Sequence, residues 1–299
     1  MTETKKSFRS GFVTIVGRPN VGKSTLLNAL IGEKVAIVSS RPQTTRSRMM
    51  GILTEPDYQI VFLDTPGIHQ PRTQLGEYMM KSVQEAMDGM DGLLMLVDVT
   101  AVTDRDIAVA KEMAGKRCPR VLALNKIDLR SREALLEVIG RFADLGFDAI
   151  IPISAKTGDG LEELKTELVR RLPEGPHYFP DDMVTDQPER VICAELIREK
   201  ALMHLRDEVP HGIGVEIMAI RPVRDDLTEI HATIYCERDA HKGIIIGRGG
   251  SMLRTIGSEA REDIERLLDR HVSLQLWVKV RPDWRNKPGD LHNLGYDQA

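Results

Sequence analysis

One short stretch near the amino end combines residue types that can hold a phosphate group. Residues 17–24, GRPNVGKS, match the pattern of glycine, four residues, glycine, lysine and serine or threonine. Gly17 and Gly22 permit a close backbone approach that a side chain would block. The ammonium of Lys23 can reach the outer phosphates, and the hydroxyl of Ser24 can bind Mg²⁺. An ordinary strand–helix turn is the alternative, and the flanking apolar segments disfavour it.

Two further clusters add the chemistry that a nucleoside triphosphate requires. Asp64 begins the sequence Asp-Thr-Pro-Gly, where a carboxylate can hold Mg²⁺ through water and the amide of Gly67 can approach a γ-phosphate. Asp128 of Asn-Lys-Ile-Asp can accept both donors on one edge of guanine, whereas adenine presents an acceptor there. Asn125 can bond the other edge of the base and tie loops together. Taken alone, each aspartate is equally typical of a turn or a helix cap.

The elements that must position these residues alternate between strand and helix. Apolar stretches typical of buried strands occur at residues 12–16, 50–54, 59–63, 92–98, 120–124 and 149–153. Helical spacing occurs at residues 24–30, 104–114 and 160–172. This order predicts an α/β domain with a mostly parallel sheet, helices on both faces, and a nucleotide crevice at the carboxyl ends of the strands. Residues 33–48 are polar and predict a long loop.

The second half of the chain has a different order of elements. A connector rich in proline and glycine, 173–188, precedes a helix, two strands, a helix, a glycine turn, a longer helix and a last strand. The turn, residues 247–250, has the pattern GxxG, which can clamp a nucleic-acid backbone because glycines permit close approach. A plain connection between two helices is the alternative. Residues 1–10 and 283–299 are predicted to be tails.

The composition restricts the remaining function classes. The formal net charge of −4 provides no global attraction to nucleic acid, yet residues 242–287 contain ten Lys or Arg and six Asp or Glu. Three scattered cysteines without metal-ligand spacing favour a reducing compartment and buried thiols. No apolar stretch approaches the ~20 residues of a membrane span, and no secretory signal is evident. We therefore expect a cytoplasmic protein, with surface contact to a membrane left open. We also expect the protein to be a monomer.

In this order, GRPNVGKS, QTTR, DTPG, NKID and SAK resemble the GTPase domain of the Era family, and the second half resembles a type II K-homology (KH) domain. The resemblance implies a P-loop GTPase domain at 11–172, a linker at 173–188 and an α+β type II KH domain at 189–282. It implies that GTP is hydrolysed to GDP and phosphate with Mg²⁺ as cofactor. It also implies binding to 16S rRNA near its 3′ end, a role in assembly of the 30S ribosomal subunit, and peripheral contact with the inner membrane.

The resemblance further implies roles for individual residues. Lys23, Thr45 and Gly67 are implied to act in catalysis, and Ser24, Thr45 and Asp64 to hold Mg²⁺, although Thr44 competes for the role of the switch threonine. The implied GTP site comprises Gly17, Arg18, Pro19, Asn20, Val21, Gly22, Lys23, Ser24, Thr25, Asp64, Thr65, Pro66, Gly67, Asn125, Lys126, Asp128, Ser154, Ala155 and Lys156. In this site the amide of Ala155 is expected to donate to the guanine oxygen. The implied RNA site comprises Lys242, Ile244, Ile246, Gly247, Arg248, Gly249, Gly250 and Arg254.

Three functional hypotheses are considered for a chain with these motifs. The first is a switch whose nucleotide state controls RNA binding, because Thr45 and Gly67 would touch only the triphosphate. The second is a GTP-gated RNA chaperone in which hydrolysis only resets the state. The third, a P-loop kinase for a small molecule, leaves NKID and SAK without a task and is disfavoured.

The rate of hydrolysis is a first prediction. Ile68 follows Asp-Thr-Pro-Gly, where many GTPases carry a glutamine that orients water. An isoleucine side chain cannot do this, so we predict turnover below about 1 s⁻¹ for the protein alone. Asn20 resembles the loop residue of potassium-activated GTPases, so a second expectation is that K⁺ accelerates hydrolysis. A loop-stabilising role of Asn20 is the alternative.

Turnover measured in KCl and in NaCl, without any partner, tests both expectations. A rate above about 1 s⁻¹ contradicts the first expectation. Equal rates in the two salts contradict the second.

Overall fold

The structure is a computed structural model that describes residues 7–39, 41, 44–68 and 71–296. Gln43 of the QTTR motif and residues 1–6 of the predicted amino-terminal tail lie outside the described residues. By their contacts, the described residues form two compact units. Unit one draws on Met1–Ala36, Thr45–His69 and Met80–Asp186, and unit two draws on Ile37–Thr44, Gln70–Met79 and Gln187–Ala299.

Unit one is built on a six-stranded sheet. In chain order its strands are β1 (Arg9–Val16), β2 (Met49–Glu55), β3 (Tyr58–Asp64), β4 (Gly92–Asp98), β5 (Arg120–Asn125) and β6 (Ala149–Pro152). Their spatial order is β2-β3-β1-β4-β5-β6; β2 runs antiparallel to β3, and the other neighbouring pairs are parallel. The carboxyl ends of the parallel strands therefore meet at one end of the sheet, where a ligand crevice is expected.

Helices pack on both faces of this sheet. The first half of the chain contains α1 (Lys23–Ile31), α2 (Gln74–Met87), α3 (Asp104–Ala114), α4 (Arg132–Phe142) and α5 (Leu161–Arg171). Alternate residues of β4 enter two separate cores, one shared with α1 and α5 and the other with α3 and α4. A strand buried on both faces is apolar throughout, which explains the run LLMLV. The predicted α/β architecture is confirmed, although the sequence analysis missed α2 and α4.

The predicted linker, 173–188, is packed onto unit one for most of its length. The fully buried side chain of Gln59 accepts hydrogen bonds from the amides of Tyr178 at 2.8 Å and Phe179 at 3.1 Å. The amide of Ile52 on β2 donates to the carbonyl of Val184 at 2.9 Å. The linker therefore covers the outer edge of the sheet, whose backbone groups would otherwise be unpaired.

Unit two contains a three-stranded sheet and its own core. Its elements in the second half of the chain are α6 (Glu189–His204), β7 (Gly214–Arg224), β8 (Leu227–Cys236), α7 (Asp239–Ile246), α8 (Ser251–Leu268), β9 (His271–Val280) and α9 (Pro288–Asn293). The strand order is β7-β8-β9, with β7 antiparallel and β9 parallel to β8. One face of the sheet packs against α6 and α8. This arrangement confirms the predicted α+β domain of the type II KH class.

The prediction of tails at both ends is corrected by the structure. Strand β1 already begins at Arg9. At the other end, Trp284 is fully buried, donates from Nε1 to the carbonyl of Gly212 at 2.9 Å, and packs with Leu291 and Tyr296. These apolar residues lie far apart in a polar segment, so no helical or strand period indicated their burial.

The GTPase domain predicted at 11–172 also differs from unit one. By its contacts, the segment 37–44 belongs to unit two. The amide of Val38 donates to Oε1 of Glu199 at 2.8 Å, and the fully buried guanidinium of Arg198 donates to the carbonyl of Thr44. The polar loop therefore finds hydrogen-bond partners on α6, which its own sequence did not predict.

The structure also bears on the predictions about the cysteines and about membrane spans. In the described part of the chain Cys118, Cys193 and Cys236 are free, and Cys118 is half-buried rather than buried as predicted. Burial raises the pKa of Cys193 to about 12, so this thiol behaves as a small apolar group. Among the described helices, none combines the length and apolar character needed to cross a membrane.

Candidate functional site

The phosphate loop joins β1 to α1 at the carboxyl end of an interior strand. Helix α1 begins at Lys23, and among the described residues no side chain caps its first amides. Gly22 has a φ of 102°, and a Cβ there would lie 2.4 Å from Nδ2 of Asn125, so the loop requires glycine at this position. Amides left unbonded at the start of a helix favour an anion.

Lys23 is held inside the loop. Its side chain is buried, and Nζ donates to the carbonyls of Gly17 and Arg18 at 3.3 Å each. Burial lowers the pKa of this ammonium, and the carboxylate of Asp64 opposes that shift. Phosphate charge would compensate the buried ammonium further.

The three residues predicted to hold Mg²⁺ lie together. Oγ of Ser24 is 2.7 Å from Oδ2 of Asp64 and 3.0 Å from Oγ1 of Thr45, which lies 3.4 Å from the same carboxylate oxygen. Asp64 is fully buried, which raises its pKa, and its Oδ1 has no hydrogen-bond partner among the described residues. An oxygen-rich set with one orphaned carboxylate oxygen fits Mg²⁺, which would neutralise phosphate charge. Thr44 instead donates to the carbonyl of Arg41 at 2.7 Å, so the geometry favours Thr45.

The Asp-Thr-Pro-Gly turn lies against the phosphate loop. A Cβ on Gly67 would come within 2.7 Å of Cγ and the backbone nitrogen of Pro19. The amide of Ile68 donates to the carbonyl of Gly17 at 3.2 Å, and its side chain packs on the core shared with α3 and α4. Ile68 therefore serves packing, in agreement with its lack of a water-orienting group.

Several residues of the predicted GTP site occupy supporting positions. Arg18 donates to Oδ1 of Asp106 at 2.6 Å and to the carbonyl of Ala101 at 2.9 Å, which ties the phosphate loop to the region where α3 begins. Thr65 is fully buried and donates to the carbonyl of Ile15 at 2.8 Å. The other members are Val21 and Pro66, which are buried, Thr25, which is half-buried, and Lys156, which is exposed.

Asn125 joins the phosphate loop to the loop that carries Ser-Ala-Lys. It is buried at the end of β5, donates from Nδ2 to the carbonyl of Val21 at 2.8 Å, and accepts at Oδ1 from the amide of Ala155 at 2.9 Å. That amide, expected to donate to guanine, is engaged by Asn125 in this structure. Oγ of Ser154 donates to Oδ1 of Asp128 at 2.7 Å and thereby orients the carboxylate.

Asp98 is a site residue that the sequence analysis missed. Nζ of Lys126 lies 2.5 Å from Oδ2 of Asp98 and donates to the carbonyl of Asn20 at 3.0 Å. Burial alone would raise the pKa of Asp98, but hydrogen bonds from Lys126 and Thr100 outweigh it and hold the pKa below its usual value. A lone aspartate at the end of β4 carries no motif; its position beside β5 was the available indication.

The predicted RNA site lies in unit two, where α7 leads through the GxxG turn into α8. Gly249 has a φ of 59°, and no described atom lies within 4 Å of a Cβ built on it, so the turn faces open space. An open groove of about 320 Å³ lies between α8 and β9. Its lining residues are Gly250, Leu253, Arg254, Gly257, Ser258, Arg261, Leu274 and Leu276.

The structure brings some of the predicted RNA residues to this groove and leaves others aside. Gly250 and Arg254 line the groove, whereas Ile246 packs on the core of unit two. Ile244 and Arg248 are exposed, and Lys242 is half-buried. Arg261 was missed, although its spacing of seven residues from Arg254 places both on one face of α8.

Comparisons with known proteins agree with a nucleotide-binding first half and a KH domain in the second half of the chain. Residues 12–126 match a family described as 50S ribosome-binding GTPase, and residues 208–285 match the KH domain. Over 97% of its length the chain is 51% identical to GTPase Era of Ruminiclostridium cellulolyticum and 52% identical to GTPase Era of Alkaliphilus metalliredigens, covering 98% and 100% of those proteins. A crystal structure of Era in complex with MgGDPNP and nucleotides 1506–1542 of 16S ribosomal RNA matches with a TM-score of 0.93 at 40% identity, covering 97% of this chain and 100% of that one.

The contact between Asp98 and Lys126 generates a prediction. Asp98→Ala should accelerate GDP release about ten- to a hundredfold, because a hydrogen bond to a charged group contributes about 1.5–3 kcal/mol. Asp98→Asn keeps an oxygen acceptor and should give an intermediate rate. The measurement is the release of a fluorescent GDP analogue after mixing with excess GDP.

Asp91, before the start of β4, provides the matched control. Its carboxylate accepts from the amide of Phe12 at 2.8 Å and has no place in the nucleotide site. Asp91→Ala should leave GDP release unchanged. An unchanged rate for Asp98→Ala, or an equal acceleration for Asp91→Ala, would contradict the assignment.

Proposed function

This chain belongs to the Era family of GTPases, and we propose that it is a GTP-hydrolysing switch that binds small-subunit rRNA near its 3′ end and assists assembly of the 30S subunit. The main structural support for GTP binding is the cluster of Ser24, Thr45 and Asp64 next to the buried Lys23. The RNA function is supported by the GxxG turn with its adjoining groove, and by the 16S rRNA bound to the similar Era protein.

In this proposal separate loops bind the phosphates and the base of the nucleotide. The amides of the phosphate loop and Lys23 hold the outer phosphates, while Thr45 and Gly67 contact the γ-phosphate and lose that contact after hydrolysis. Asp128, oriented by Ser154, accepts the two guanine donors and would lose both of them opposite adenine. The packing of Ile68 leaves that side chain unable to orient water, which supports slow hydrolysis by the protein alone.

The switch is supported by the position of Thr45 in the chain. Thr45 directly follows the segment 37–44, which is anchored in unit two by the bonds of Val38 and Thr44. Loss of the γ-phosphate would therefore release Thr45 directly beside a segment that belongs to unit two. The alternative is a GTP-gated chaperone in which hydrolysis only resets the state. Single-turnover hydrolysis that ribosomal subunits do not accelerate would favour this alternative.

Four finer properties belong to the same proposal: activation by K⁺, action in the cytoplasm, a monomeric state and peripheral contact with the inner membrane. Asn20 has a left-handed backbone with a φ of 65°, which an asparagine tolerates, and activation by K⁺ rests on its resemblance to the loop residue of potassium-activated GTPases. We expect the protein to act in the cytoplasm as a monomer. Peripheral contact with the inner membrane rests on the family resemblance, and cosedimentation with anionic lipid vesicles would test it.

Crosslinking followed by RNA sequencing tests the proposed function. We expect reads concentrated at the 3′ end of 16S rRNA, and more of them with a non-hydrolysable GTP analogue than with GDP. Reads spread evenly over total RNA would contradict the proposed target. Equal recovery with both nucleotides would contradict control of RNA binding by the nucleotide.

A matched pair of variants at Gly249 isolates the contact with phosphates. Asn and Asp both tolerate a positive φ, so Gly249→Asn and Gly249→Asp alter the backbone alike and differ in charge. Gly249→Asp should lose most RNA crosslinks, because its carboxylate repels the RNA backbone, and should retain GDP binding. Similar losses in both variants, or none in either, would contradict a phosphate contact at this turn.

A further inference from the structure

The sheet of unit two exposes an aromatic side chain on the face opposite its helices. Trp277 on β9 is 43% exposed, whereas Trp284 is fully buried. The ring of His231 on β8 meets the indole edge to face, with centroids 5.3 Å apart and planes at 73°. Met218, at the irregular position of β7 near His231, is 49% exposed. We call Met218, His231 and Trp277 the outer platform.

The outer platform is adjacent to the groove of the GxxG turn. Strand β9 forms one edge of the sheet, and its side chains alternate between the two faces. Leu274 and Leu276 line the groove, so Trp277 emerges on the opposite face, one residue or about 3.8 Å along the backbone from Leu276. A nucleic-acid strand that leaves the groove across the free edge of β9 therefore meets the indole.

The chemistry of the platform fits a nucleobase better than a phosphate. A carboxylate oxygen of Glu229 lies 3.3 Å from Nε2 of His231, and its other oxygen accepts from Gln275 at 3.2 Å. This negative charge disfavours a phosphate beside the ring. An exposed indole instead stacks on any base, whatever its sequence.

The size of the platform argues against a protein partner. Its exposed apolar groups are one indole on β9 and one methionine on β7, separated by the intervening strand β8. A stable protein interface buries about 800 Å² on each partner, several times what these side chains offer. A single base matches the exposed ring.

We propose that Trp277 is a second RNA contact, which stacks on a base of a strand that extends beyond the GxxG groove. This inference rests on the proposed RNA function and adds a binding position to it. A KH groove holds about four nucleotides, so the contact at Trp277 requires a longer RNA. Its contribution should therefore appear with long RNA and be absent with short RNA.

Intrinsic fluorescence gives a direct measurement, because the chain contains two tryptophans and Trp284 is buried. The probes are single-stranded RNAs of about four and about twelve nucleotides from the 3′ end of 16S rRNA. We expect the twelve-nucleotide RNA to quench the emission and the four-nucleotide RNA to leave it unchanged. Trp277→Phe should abolish the quenching while the signal of Trp284 persists.

Affinities of the variants for the same RNAs complete the test. Trp277→Ala should weaken binding of the longer RNA about tenfold and leave the shorter one unchanged, since stacking of one base is lost. Trp277→Phe keeps an aromatic face and should restore most of the affinity. Met203→Ala, which removes another exposed side chain of unit two on α6, is the matched control and should bind both RNAs normally.

Several outcomes would overturn the inference. Equal weakening for both RNA lengths, absence of quenching by the longer RNA, or a Phe variant as weak as the Ala variant would each exclude stacking at Trp277. A changed oligomeric state in Trp277→Ala would identify the platform as a contact between copies of the chain instead. Failure of the unmodified protein to bind either RNA would overturn the proposed RNA function as well.

Discussion

The arrangement of the nucleotide site depends on the buried amide of Asn125. Its two hydrogen bonds reach Val21, which lies 104 residues earlier in the chain, and Ala155, which lies 30 residues later. The loop that would hold phosphates and the loop that would hold a base are thereby set at a fixed separation, as one nucleotide requires. Gly22 completes this constraint, because a side chain there would displace the amide.

The charges of the site are incomplete without a ligand. Lys23 and Asp64 are both buried, and burial shifts the pKa of each towards its neutral form. Buried charges are costly unless they are paired and hydrogen-bonded, and Oδ1 of Asp64 has no partner among the described residues. A triphosphate with Mg²⁺ would supply an anion beside Lys23 and a cation beside Asp64. These two buried groups would therefore favour the bound nucleotide.

Features encoded in local sequence were predictable, and those made by distant contacts were not. The phosphate loop, the GxxG turn and most strands follow from short motifs and apolar runs. The contact of Asp98 with Lys126 depends on the pairing of two strands, and the burial of Trp284 depends on partners more than 70 residues away in the chain. The ordering of the linker by Gln59 likewise requires a polar side chain to be buried, which periodicity does not indicate.

Selection of guanine by the loop that carries Asp128 depends on the position of this loop relative to the phosphate loop, which Asn125 holds. Calorimetric titration of the nucleotide-free protein with GDP and with ADP, in the presence of Mg²⁺, tests it most directly. We expect saturable binding of GDP and at least a hundredfold weaker binding of ADP, because adenine provides neither of the two donors that Asp128 would accept from guanine. Equal affinities for the two nucleotides would contradict it.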